Sequence, residues 1–312
     1  MLGVVLARPL IYGIKDGAAY GLVAVGLVLI YKSSRIFNFA AGEFVTLGAF
    51  ATFLASKGFH LKLGLFGVHV HFHLVPLPFL MAALIGVLLG AGAGLLTERL
   101  VVRPLADRPR VVLLVATAAI AITLIPVQLT FGAGRAYSFR PLIRGTAFHL
   151  FGVFVTWQQL LVVVVLILVG TALAAFFGFT DLGLAVLASS QEPTASRLMG
   201  IRLNRVAMLT WGMAGALGGL AGVLLPPTTG SPGQFFPAYG TTDVLIFAFT
   251  AAVLGGMTSV PGAFLGGLIV GIVQDFAQSN FTKIQGPSSI AVLVVLVGVL
   301  LIRPSGILGK EA

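Results

Sequence analysis

The 312-residue sequence predicts an all-α, polytopic transmembrane helix bundle of eight to nine spans, with one short cytoplasmic helix. Three observations carry that expectation. The chain is 58% hydrophobic and 9% charged, whereas soluble domains carry about 25% charged residues. Apolar runs approaching the roughly 20 residues that cross a bilayer as a helix recur from one end to the other. A single polar interruption, SSQEPTASRLMGIRLNR from Ser189 to Arg205, separates two of these runs and carries its own helix punctuation.

In chain order, the candidate spans are residues 10–31, 39–56, 77–97, 112–132, 154–177, 206–226, 241–257, 262–279 and 288–302. The segment 39–56 also reads as re-entrant, which sets the count at eight to nine. The close spacing of the spans leaves no room for a separate soluble domain, so residues 1–312 are expected to form a single transmembrane domain. MLGVVLARPL lacks the basic lead and small-residue cleavage pattern of a signal peptide, so the first span is expected to be retained.

The 40 glycines are placed for packing rather than linking. Gly86, Gly90 and Gly94 recur at four-residue spacing, as do Gly215 with Gly219, Gly218 with Gly222, and Gly267 with Gly271. Each series makes a smooth ridge on one helix face and lets backbones approach closely in lipid. Packing within the bundle, rather than a dedicated dimer face, is the expectation.

The formal charge of +10 points to topology and anionic headgroups. No basic run is dense enough for nucleic acid. Placing Arg99, Arg103, Arg108 and Arg110 in the cytoplasm also places Arg197, Arg202, Arg205, Arg303 and Lys310 there. The loops 57–76 and 133–153 then face outward, despite Arg135, Arg140 and Arg144. Alternating residues around His69 and Phe154 predict small extended pieces or hairpins in those loops. His69, His71 and His73 would share one strand face. With no carboxylate or cysteine beside them, an exposed strand face is expected there rather than a metal site. The absence of cysteine excludes disulfides.

Enzyme chemistry finds no support. There is no G-x-S-x-G elbow, HExxH motif or paired-carboxylate arrangement. Gly309-Lys310 is followed by Glu311 rather than Ser or Thr, so it is no phosphate loop. Ionisable groups within spans carry more information, because charge in lipid is costly. Lys15 and Asp16 are expected at the headgroup boundary or paired with each other. Asn38, Gly42 and Glu43 form a polar, glycine-containing start to a span and are candidates for lining a translocation path. The plainer alternative has Glu43 capping a helix start or pairing with Arg35. Asp243 and Asp275 are expected at helix ends.

Within the polar interruption, Glu192 and Pro193 fit a helix start, because proline at the first helical position gives up a donor that would be unpaired anyway. Gly200 fits the stop, since glycine adopts the left-handed closing conformation without strain.

Five blocks in order resemble the LivH-type permease subunits of branched-chain amino acid ABC transporters. They are Ile36-Asn38-Phe39-Ala40 with Gly42-Glu43-Phe44; Glu98-Arg99-Leu100 with Arg103-Pro104-Leu105; Gln191 to Ile201; Gly255-Gly256 through Ser259-Val260-Pro261-Gly262-Ala263; and Arg303-Pro304-Ser305-Gly306. The resemblance implies a transport subunit of the prokaryotic inner membrane that does not itself hydrolyse ATP. It further implies a second, homologous or identical permease, two cytoplasmic ATP-binding subunits and an extracytoplasmic solute-binding protein as partners, within membrane lipid. ATP and magnesium would then be held by the partner subunits, with no cofactor in this chain. Gln191, Glu192, Ala195, Arg197, Leu198, Met199 and Gly200 would form the helix that couples to the ATPases. The expected cargo is a branched-chain or other hydrophobic amino acid. Relatives that carry urea, short amides or other small polar solutes form the alternative, and an ion-coupled secondary transporter is the alternative of another class. Lys15 and Asp16 stand where the family is usually uncharged, and Lys32 where glycine is frequent. Pro193, Thr194 and Ser196 also depart from the family's loop.

Overall fold

The computed structural model describes residues 2–65, 68–132, 137–138, 142–150, 152–228, 234–281, 283–303 and 305–309. Its helices are α1 (Leu2–Ser34), α2 (Ala41–Lys57), α3 (Phe79–Thr97), α4 (Arg110–Gly132), α5 (Trp157–Phe179), α6 (Asp181–Gln191), α7 (Pro193–Leu198), α8 (Leu203–Leu224), α9 (Leu245–Gly255), α10 (Val260–Asn280) and α11 (Pro287–Ile302). A π-helical turn extends α3 over Glu98–Val102, and a second precedes α9 over Gly240–Val244.

Among the described residues, six helices are long and apolar enough to cross a membrane: the stretches Arg8–Ser34, Phe79–Val102, Arg110–Leu129, Trp157–Phe179, Leu203–Thr228 and Val260–Asn280. The other three expected spans fall on shorter helices. α2 has 17 residues, α11 has 16, and α9 has 11 beyond its π turn. At 1.5 Å per residue, even the longest of these rises only about 25 Å, against roughly 30 Å of hydrocarbon. Among the described residues, then, six apolar helices are long enough to span by themselves and three more are shorter.

Short β pairs gather at one end of the bundle. Strands β1 (Phe59–Leu65) and β2 (Val68–Leu74) form an antiparallel hairpin, as do β4 (Thr146–Leu150) and β5 (Val153–Thr156). β3 (Tyr137–Ser138) pairs with β6 (Gln234–Phe235). The alternation in the two outward loops thus becomes hairpins. The His69, His71 and His73 side chains lie outside the described set, and among the described residues no cluster of three metal-ligating side chains occurs. At the opposite end lie the loops around residues 35–40, 103–109, 192–202, 256–259 and 303–309. Arg103, Arg108, Arg197, Arg202 and Arg303 share that end, which makes it cytoplasmic by the positive-inside rule. There Arg103 bonds both oxygens of Glu98, at 3.1 and 2.8 Å, and reaches the carbonyl of Asn204 at the start of α8. Glu98 is 1% exposed, so this ion pair fixes the cytoplasmic end of α3 to α8.

α1 is the central shaft. Ala18, Leu22, Val25, Val28 and Ile30 are inaccessible or nearly so, although they point to different sides. A helix apolar all round is stable only when wrapped by others. α10 packs antiparallel along it: a Cβ on Gly13 or Gly17 would collide with the backbone of Ile272 or Gly267. α3 and α8 close in the same way. A side chain on Gly90 would strike the Gly215 carbonyl oxygen, one on Gly215 the Gly90 carbonyl oxygen, and one on Gly94 that of Trp211. α2 lies on the next face of α8, with Gly48 against Gly219 and Gly222 against the Val45 carbonyl. The four-residue glycine series therefore serve packing within the chain.

That packing sets an expected contrast. Gly215→Leu should destabilise the bundle by at least about 1–3 kcal/mol through overpacking, read as a lower thermal transition in detergent. Gly92→Leu, on the facing helix α3 but with open space where its Cβ would go, should leave the transition within about a degree or two.

Candidate functional site

Two polar features interrupt the bundle, and one backbone route joins them. The first is at the cytoplasmic end. α5 stops at Thr180, whose hydroxyl accepts from the Gly183 amide and starts α6. α6 runs to Gln191. Glu192 then occupies the N-cap position of α7, with Pro193 at the first turn. The helix closes through Gly200, at φ +84°, while the Ile201 amide donates to the Ser196 carbonyl at 3.0 Å. The start and stop expected from sequence are both present. α6 was not expected: the preceding candidate span ends at residue 177, and no helix was expected between it and the polar interruption.

α7 is asymmetric. Ser196 is 4% exposed and faces the bundle, whereas Leu198 and Met199 are 85% and 83% exposed. Gln191, Glu192, Ala195, Arg197 and Gly200 are exposed around them. The seven expected coupling residues thus form one contiguous outward surface. Two large apolar side chains at its tip are costly in water unless another surface covers them.

Just behind α7, the guanidinium of Arg35 donates to the Ser190 carbonyl at 2.6 Å. Arg35 lies immediately after α1 at φ +54°, a left-handed conformation that costs a non-glycine residue on the order of 1–3 kcal/mol. That bend turns the chain from α1 into the short non-helical segment 36–40, which leads to α2. The Trp211 indole donates to the Ser34 hydroxyl, and Ser33 hydrogen-bonds Thr210, so α8 braces the same corner.

The second feature is at the start of α2. Asn38 is 2% exposed; its Oδ1 accepts from the Ala40 amide at 3.0 Å, while Nδ2 has no partner. Asn38 stands in the wall of a cavity of about 200 Å³ with Phe37, Phe39, Phe249, Val292 and Leu296. Gly42 presses on the backbone of Gly240, so the first turn of α2 meets the π turn that leads into α9. Glu43 is completely buried. Its carboxylate accepts from Gln128 Nε2 on α4 and from the Thr241 hydroxyl, each at 2.5 Å. Gln128 in turn accepts from the Ala238 amide at 3.1 Å, and the Gly240 amide donates to Thr46 at 2.9 Å. Both carboxylate oxygens are thereby engaged, near the positive ends of two helical segments.

Three expectations are resolved here. Glu43 does not pair with Arg35, whose guanidinium is taken by Ser190. Lys15 and Asp16 do pair with each other, at 2.7 Å, and are covered by neighbouring helices at 5% and 8% exposure, with Lys15 also donating to the Thr228 carbonyl at 3.4 Å. Asp275 lies within α10, beside this pair, rather than at a helix end. Gln128, Thr241 and Thr46 were missed as site residues. Gln128 alone left a trace, as a single amide in an otherwise apolar run.

The described residues form a bundle of apolar helices of membrane-crossing length, with a short exposed helix at the cytoplasmic end. Comparison with known proteins gives its family. Residues 10–303 match the family described as branched-chain amino acid transport system / permease component, and this chain belongs to it. Similar proteins include the high-affinity branched-chain amino acid transport system permease protein BraD of Pseudomonas aeruginosa, 32% identical over 97% of this chain and 95% of that protein. LivH of Escherichia coli, a permease of the same description, is 32% identical over 96% and 94%. A protein of Methanocaldococcus jannaschii, described as a "probable branched-chain amino acid transport permease protein LivH", is 29% identical over 93% and 88%. No solved structure matches the chain. The protein is a multi-pass permease of the cytoplasmic membrane and not an enzyme.

The Glu43 network makes a definite prediction. Glu43→Gln sets its amide against that of Gln128, leaving a buried donor unpaired at a cost of about 1–3 kcal/mol. The swap Glu43→Gln with Gln128→Glu restores every donor–acceptor pair. The single variant should lower the thermal transition, and the double variant should recover most of the loss.

Proposed function

We propose that this chain is the membrane-spanning permease of an ATP-driven importer and that its cargo is a branched-chain or similarly apolar amino acid. The cargo reading comes from the names of the relatives and is supported by the cavity beside Asn38. Its scale suits one small apolar amino acid, and its wall carries a single amide among Phe37, Phe39 and Phe249. Asn38, Gly42 and Glu43 mark the path, with Asn38 at its surface and Gly42 and Glu43 holding the helix starts around it.

The observation that carries the mechanism is the continuous link from α7 to that cavity. Two cytoplasmic ATP-binding subunits, which hold ATP and magnesium, would cover Leu198 and Met199. A push on α7 passes through α6 to the Ser190 carbonyl, to Arg35, and along the short non-helical segment 36–40, past Asn38, to the start of α2. Buried Ser196 keeps α7 seated, so force reaches α6 without peeling the helix away. An extracytoplasmic binding protein delivers the amino acid to the hairpin end. A second permease, identical or homologous, completes the path beside the exposed face of α11. In this arrangement α2 and α9, which meet at Gly42 and Gly240, act as partial-depth helices and α11 as a thin-membrane crossing. That restores eight to nine membrane passes within one domain.

In proteoliposomes holding the complete complex, with ion gradients collapsed, ATP should drive leucine uptake and urea should not compete. Met199→Asp should reduce uptake at least about tenfold, as expected when a charge is forced into an apolar contact, while leaving the permease's own thermal transition unchanged. Uptake driven by an ion gradient without ATP would contradict the mechanism. Transport of urea in place of leucine would contradict only the cargo.

A further inference from the structure

Asn38 has a requirement that the described protein does not meet. The Ala40 amide can only donate, so the carbonyl end of the Asn38 side chain faces it and the NH2 end is turned away. Nδ2 is then buried with no acceptor, on a side chain 2% exposed. The surrounding segment is held against turning to relieve this. Thr117 of α4, itself fully buried, accepts from the Phe39 amide at 3.3 Å. The Phe37 ring rests against both Tyr31 and Phe249, at centroid distances of 5.3 and 5.5 Å. The cavity of about 200 Å³ in whose wall Asn38 stands is therefore where an acceptor would enter.

The rest of the wall shows what else that acceptor carries. Phe37, Phe249, Val292 and Leu296 are apolar, Thr250 and Ser289 add neutral hydroxyls, and no side chain in the described lining is charged. Phe39, Ile246 and Leu293, in the same wall, are exposed, so the cavity opens on their side. Glu43, the nearest carboxylate along the chain, is not in that lining, and both its oxygens are engaged by Gln128 and Thr241.

We propose that Asn38 Nδ2 binds the carboxylate of the cargo, and that the permease reads this carboxylate and the apolar side chain but not the α-ammonium, which stays in water at the open mouth. The proposal rests on the amino-acid reading above and adds which of the cargo's groups is recognised. A carboxylate is the acceptor a neutral donor favours most, because a hydrogen bond to a charged group is the stronger one. Water alone is a poorer occupant, since an ordered water needs several polar partners and these walls are mostly apolar. A neutral donor also suits transport: a full ion pair would hold the cargo in a site that it has to leave.

The test compares three molecules that share one isobutyl chain: leucine, isoamylamine, which lacks the carboxylate, and isocaproate, which lacks the ammonium. Saturation-transfer NMR of the complete permease–ATPase complex in nanodiscs, with no binding protein present, gives a dissociation constant for each. Isocaproate should bind within about fivefold of leucine, the most that an exposed charge contributes. Isoamylamine should bind at least about tenfold more weakly, through loss of one charge-assisted hydrogen bond. Asn38→Leu, which removes the donor and adds no charge, should leave leucine no tighter than isoamylamine, and Asn38→Asp should invert their order. Leu296→Trp, which fills the cavity, should abolish the saturable signal of all three and so separates the site from partition into the nanodisc lipid. The thermal transition of each variant confirms folding. Equal binding of isoamylamine and leucine by the unmodified complex would overturn the proposal. So would failure of isocaproate to bind, or an advantage of leucine that persists in both Asn38 variants. A complex that takes up leucine but shows no leucine signal sensitive to Leu296→Trp would overturn this site and leave the cargo reading intact, whereas uptake of urea in place of leucine would remove both.

Discussion

Helices in lipid gain nothing from excluding water from one another, so they must be held by contact itself. In this bundle contact reaches its limit at two seams, α1 with α10 and α3 with α8. At each, backbone of one helix occupies the space where the other would carry a Cβ, and glycine is the residue that permits it. α8 serves both α3 and α2 on adjacent faces, through Gly215, Gly219 and Gly222. These seams make a stiff frame of α1, α3, α8 and α10. Everything functional is attached to that frame rather than built into it: α7 hangs from α6, and α2 starts late, at the level of Gly218.

Polar chemistry is then confined to a few islands in which most groups are paired. Glu43 shows why pairing is necessary. A carboxylate with no exposed surface inside an apolar bundle is tolerated because two donors and two helix N-termini face it. That arrangement also argues against Glu43 as an ion-coupling carboxylate, since both oxygens are already committed. Lys15 with Asp16, and Glu98 with Arg103, follow the same rule at the two ends of the bundle. Asn38 departs from that rule, as do Gln158, Gln274 and Asp275: its Nδ2 is buried without a hydrogen-bond partner, and it alone of these stands beside the small apolar cavity proposed for the path.

Much of this was legible in the sequence. Hydropathy located all nine apolar helices, because each is a nearly unbroken apolar run. Pro193 and Gly200 bounded α7, because each acts through its own backbone geometry. The glycine spacing announced close seams but not which helices met, since Gly90 and Gly215 are 125 residues apart. The partners of Glu43 were hidden for the same reason: Gln128 and Thr241 lie 85 and 198 residues away. α6 was hidden differently, because its apolar face continued the pattern of α5 and only the Thr180 cap divides them. Burial of Lys15 and Asp16 was also unreadable, since neighbouring charges in a sequence say nothing about the helix that will cover them.

The central claim is that movement of α7 is transmitted to the cavity beside Asn38. The chain contains no native cysteine, so in a complex whose partner subunits are cysteine-free, spin labels can be placed at Phe39 and Leu293, two residues of that cavity's wall from different elements. Pulsed distance measurement with and without ATP during turnover tests the claim directly. The account predicts that the Phe39–Leu293 distance distribution shifts when ATP is present, and that Met199→Asp abolishes the shift. A distribution unchanged by ATP in a complex that is actively transporting would contradict it.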